Sequence, residues 1–129
     1  MKKFLIYIAL ILLTLSCTDI GNSPLKGKWQ LKTIEKEGIT TNVDTVWYNF
    51  QSESIFSIQI YNPRADSYYV IYGFREEIDQ TLSIEIHYDI TLGYIDWTDR
   101  FRDFTIEKCT GKELILRGEE GNRYDFIRF

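Results

Sequence analysis

Between Leu82 and Tyr88 apolar and polar side chains alternate without a break: Leu82, Ile84, Ile86 and Tyr88 share one parity, Ser83, Glu85 and His87 the other. A period of two puts successive side chains on opposite faces of an extended strand, so one face here is core and the other meets solvent. Shorter copies of the pattern run along most of the chain. Trp29, Leu31 and Thr33 alternate with Lys28, Gln30 and Lys32, and Val46, Tyr48 and Phe50 follow. Ile55 to Tyr61 and Tyr68 to Phe74 read the same way, as do the segment begun by Phe104 and Ile106, Glu113 to Arg117, and Arg123 to Phe129. Turn chemistry divides them at Gln51-Ser52-Glu53-Ser54, Asn62-Pro63-Arg64-Ala65-Asp66, Thr110-Gly111-Lys112 and Gly118-Glu119-Glu120-Gly121-Asn122. The expected fold is all-β: eight strands in an antiparallel up-and-down meander. Closure into a barrel would remove both exposed edges and leave an interior that is filled or holds one small ligand.

The first residues obey a different logic. Lys2 and Lys3 precede an apolar run from Phe4 to Leu15, within the signal-peptide range and short of the roughly 20 residues a spanning helix needs. Thr14-Leu15-Ser16-Cys17 resembles the lipobox of bacterial lipoproteins, in which a peptidase cuts before a cysteine that carries a diacylglycerol. That resemblance implies a signal peptide over 1–16, a lipidated N-terminus and tether over 17–24, and a folded domain over 25–129. Acyl chains such as palmitate on Cys17 would hold the protein on a membrane, each buried CH₂ contributing about 0.8 kcal/mol. Thr18, rather than Asp, follows the cysteine, so the expected home is the outer membrane of a Gram-negative envelope. Lipidation leaves Cys109 alone, expected as a buried small apolar residue with no disulfide partner.

Removing residues 1–17 leaves about 112, enough for one domain. The chain carries 15 Lys and Arg against 19 Asp and Glu, and loss of Lys2 and Lys3 leaves 13 against 19, a net charge of −6. That balance argues against nucleic acid as a partner. Catalysis finds little support either. The single histidine, His87, falls on the polar face, and no nucleophile elbow, metalloprotease helix or phosphate-binding glycine loop is present. Asp96, Asp99 and Asp103 lack the spacing of a calcium loop. No enzyme, metal or cofactor is expected.

Gly27-Lys28-Trp29 on the first strand resembles the Gly-x-Trp signature of the lipocalins. The likeness implies that an arginine of the last strand lies across the tryptophan and closes the barrel base. Arg128 matches in position and parity, since Tyr124, Phe126 and Arg128 alternate on one face. The whole of residues 25–129 is similar to the short lipocalin-like lipoproteins of Bacteroides-type bacteria. Two functions follow as expectations. One is a membrane-anchored binding barrel whose interior or mouth takes a small apolar or amphipathic ligand through Tyr48, Ile84, Ile86, Tyr88, Tyr94 and Trp97. The other is a filled barrel that contacts an envelope protein or glycan. The connection Asp89 to Asp103, rich in Tyr94, Trp97 and Phe101, is expected to serve as a lid or sugar-stacking platform, or else Ile90 to Trp97 continues the sheet or forms a short plug that only covers the core.

Overall fold

The computed structural model describes residues 24–87 and 95–129. Within them the chain forms nine antiparallel strands: β1 (Gly27–Lys36), β2 (Ile39–Asn42), β3 (Val46–Phe50), β4 (Ile55–Asn62), β5 (Ser67–Ile78), β6 (Thr81–Ile86), β7 (Phe101–Cys109), β8 (Glu113–Gly118) and β9 (Arg123–Arg128). Neighbours in sequence pair in order from β3 to β9, and β9 returns to pair with β1. The sheet is therefore closed. β2 and β3 lie on the same edge of β1, β2 against Thr33 to Lys36 and β3 against Gly27 to Gln30. Val43 N–H donates to Lys32 O between them at 2.7 Å, so the two behave as one bent stave of an eight-stave barrel.

The eight expected strands are all present, and β2 is the addition. It hides from pattern reading because Ile-Thr-Thr-Asn is exposed throughout and carries no alternation. Glu37 and Gly38 make the turn before it, both with positive φ (51° and 80°), the geometry of a tight hairpin.

Inward parity holds around the barrel: Trp29 and Leu31, Tyr48 and Phe50, Phe56, Ile58 and Ile60, Ile71, Leu82, Ile84 and Ile86, Phe104, Leu114 and Leu116, and Tyr124 and Phe126 are all buried. One expectation fails. Thr33 was grouped with Trp29 and Leu31, but the register with β9 slips between Leu31 and Thr33. This bulge turns Thr33 outward, where its hydroxyl meets Asp125 Oδ2 at 3.1 Å, and Ile34 packs on the core instead. Cys109 is half-buried against that core as a free thiol, and burial pushes its pKa up.

Candidate functional site

Three inward-pointing arginines organise the two ends of the barrel. At the end where the chain enters, Arg128 lies over the Trp29 ring, 4.0 Å from its centroid. Its guanidinium donates to Lys26 O at 2.6 Å, Pro24 O at 3.0 Å and Gly111 O at 3.3 Å. Trp29 Nε1–H donates to Leu25 O at 2.8 Å, so ring and cation together strap the incoming chain across the barrel base. Gly27 makes room for this. Its φ is +129°, and a Cβ there would overlap Arg128 Nη1. On the opposite side of the same end, Arg75 stacks 5.3 Å from Phe50, donates from Nε to Ser52 O at 2.8 Å and reaches Glu77 at 3.5 Å.

Among the described residues the interior is packed with aromatic and branched side chains. Tyr48 touches four rings, those of Phe56, Trp97, Phe104 and Phe126, at centroid separations of 4.8 to 6.5 Å. Ile84 and Ile86 join the same cluster. Trp97 is the piece supplied by a loop rather than a strand: it is 2 % exposed, and its Nε1–H donates to Tyr48 Oη at 2.9 Å. Of the alternatives for this connection, the buried Trp97 fits the plug that covers the core and not an exposed lid or stacking platform. Burial carries more apolar area out of water for an indole than for any other side chain, and its one polar atom here finds a partner inside.

A polar latch holds the plug. Tyr124 O–H donates to the Asp96 carboxylate, and Arg102 donates from Nη2 to Tyr124 Oη and from Nη1 to Asp96 O at 3.2 Å. Lys36 Nζ lies 3.6 Å from Asp96 Oδ2, and the Arg102 guanidinium stacks 5.1 Å from the Tyr124 ring. Burial pushes both tyrosine hydroxyls, Tyr48 and Tyr124, well above their usual pKa range; the bond to Asp96 raises Tyr124 further. The sequence presents Asp96 only as a candidate calcium ligand of the wrong spacing, and nothing in it singles out Arg102. Extending the Phe104 and Ile106 parity back two residues would have aimed Arg102 inward.

One surface depression lies beside this latch, lined by Asp96, Thr98, Asp99, Phe101, Arg102, Glu119 and Glu120. Another, of about 410 Å³, sits on the outer wall, lined by Phe74, Arg75, Glu76, Ser83, Ile84, Glu85, Phe101 and Asp103. His87 is exposed beside it, its ring 4.9 Å from Phe74. Among the described residues no group of three His, Cys, Asp or Glu could hold a metal ion. Cys17, the expected signal peptide and the tether up to Ser23 lie outside the described residues, as do Tyr88 and Tyr94.

Geometry of this kind, a closed antiparallel meander with a Gly-x-Trp strand locked by a terminal arginine, defines a lipocalin-like barrel. A family model described as "Lipocalin-like domain" matches residues 10–129, and the chain belongs to that family. It is similar to a crystal structure of a lipocalin-like protein from Bacteroides uniformis, at 26 % identity and a TM-score of 0.75 over 83 % of this chain and 100 % of that one. A second similar structure, an uncharacterized protein from Bacteroides eggerthii, has 26 % identity and a TM-score of 0.71 over 81 % of this chain and 98 % of that one. No curated protein matches.

Proposed function

We propose that the protein is a non-catalytic lipoprotein of a bacterial envelope, anchored through lipid on Cys17 and acting on an envelope protein or glycan with the outside of its barrel. The packing around Tyr48 carries this reading, because Trp97 occupies the space an interior ligand would need. A pocket for a small apolar molecule usually offers about 300 Å³ or more. The bacterial neighbours and the short polar segment between Cys17 and Pro24 support the envelope setting.

A second reading, an interior site for a small apolar or amphipathic ligand lined by Tyr48, Ile84, Ile86 and Trp97, has one observation in its favour. The plug comes from a connection between strands, and such segments move at lower cost than strands do. Native mass spectrometry of full-length protein purified without added ligand separates the two. No co-purified small molecule is expected, and a reproducible one would replace the surface reading with the interior one. Anchoring is checked independently by detergent phase partitioning. The native chain is expected in the detergent phase and Cys17→Ser in the aqueous phase.

A further inference from the structure

The outer wall of β5, β6 and β7 carries a pattern that the packed interior does not explain. Phe74 pairs with Glu85, which pairs with Phe101, and one step along the strands Glu76 pairs with Ser83, which pairs with Asp103. All six side chains point outward, because their neighbours Arg75, Leu82, Ile84, Arg102 and Phe104 point in. Adjacent strands lie about 4.8 Å apart, so the two phenylalanines stand about 10 Å from each other with a carboxylate between them. Phe74 is 50 % and Phe101 57 % exposed. Two rings flanking Glu85, with Glu76 and Asp103 beside them, complement an ammonium or guanidinium by cation–π and ionic attraction together; Arg75, which also lines the depression, is buried and engaged with Ser52 O and Glu77.

The occupant is longer than one amine. Along β5 the outward residues Tyr68, Val70, Tyr72 and Phe74 are all exposed, an apolar row about 20 Å long at the strand repeat. Monomeric proteins rarely expose apolar surface contiguously without a partner for it. The net acidic charge would also favour approach of a basic partner.

We propose that this wall is the docking surface for an extended segment of a protein partner that places an arginine or lysine between Phe74 and Phe101 over Glu85 and runs its apolar residues along Tyr72 and Val70. The inference rests on the surface-acting reading and deepens it by naming the partner's chemistry. The test uses full-length protein and a fluorescein-labelled hexa-arginine peptide followed by anisotropy at low salt. Glu85→Gln with Asp103→Asn is expected to weaken binding about five- to tenfold, and Phe74→Ala with Phe101→Ala about as much. Glu37→Gln with Asp44→Asn, an equal charge change at exposed residues flanking β2 on the far side of the barrel, is expected to leave binding within about twofold.

Equal losses in the wall and control variants would overturn the proposal in favour of diffuse charge attraction. So would the absence of peptide binding by the native chain. Displacement of the peptide by neutral chitohexaose, with sugar binding intact in Glu85→Gln and lost in Phe74→Ala, would assign the wall to glycan instead. Because these substitutions replace outward side chains, circular dichroism melts within a few degrees of the native chain are expected and establish that the variants are folded. A co-purified interior ligand would displace the surface reading without altering the peptide result, so the two failures are distinguishable.

Discussion

Gly27 and Arg128 constrain each other across the whole length of the domain. The guanidinium can reach Lys26 O and Pro24 O only because residue 27 has no side chain. Gly27→Ala is expected to cost about 1–3 kcal/mol from its positive φ and to displace the Arg128 clasp as well. Gly38→Ala is the control: its φ is also positive, at 80°, but nothing lies within 4 Å of the added carbon. It should cost only the backbone component, about 1 kcal/mol. Urea unfolding of both variants checks the difference, and equal losses would remove the steric role assigned to Arg128. At the other end, Tyr48→Phe strands the Trp97 indole N–H in the core at a cost of about 1–3 kcal/mol. Trp97→Ala removes the plug itself and should cost about 3–5 kcal/mol, with a cavity left behind. A hydrophobic dye that binds Trp97→Ala and not the native chain would reveal that space directly.

Among the elements, β5 and β6 leave no room for a side chain at Gly73. A Cβ there would collide with the Glu85 backbone carbonyl rather than with a flexible side chain, so the ladder itself must yield. Gly73→Ala is expected to destabilise by about 1–3 kcal/mol, typical of overpacking. Hydrogen exchange should show faster loss of protection along the pairing from Gly73↔Ile86 to Ile78↔Thr81 than along β8 and β9. Uniform loss of protection would instead mean that the strain is absorbed globally. The eight patterned strands were legible because alternation is a local property of residues two apart. β2 was illegible because its faces are equally wet. Thr33 was assigned to the wrong face because a bulge adds a residue that parity counting cannot detect.

For the molecule as a whole, the buried tyrosines link stability to alkaline pH. Burial holds the Tyr48 hydroxyl well above its usual range, whereas the unfolded chain ionises it near pH 10. The folded state therefore retains a proton that the unfolded state has lost. The stabilisation is complete below about pH 10 and declines as pH rises further, at about 1.4 kcal/mol per pH unit for each such group. Tyr124, raised in the same direction, adds to the slope. Urea unfolding between about pH 8 and 11 tests the sign, with Tyr48→Phe expected to lessen the dependence. Stability that stays level through this range would mean that the Tyr48 hydroxyl is open to solvent.

Apart from β2 and Thr33, strand positions and the faces they bury were readable from residue order, since each depends on parity along a single strand, and the Trp29 and Arg128 pairing was implied by the resemblance of Gly27-Lys28-Trp29 to a family signature. The place of Trp97 was not. Its partner Tyr48 is 49 residues away, and the latch joins Asp96 to Tyr124 across 28. Closure of the barrel makes these residues neighbours, and close packing leaves the indole no alternative but the interior. The row Phe74–Glu85–Phe101 likewise exists only once three strands lie in register. Local alternation sets which side of a strand is wet, whereas the register of separate strands sets which wet residues stand together.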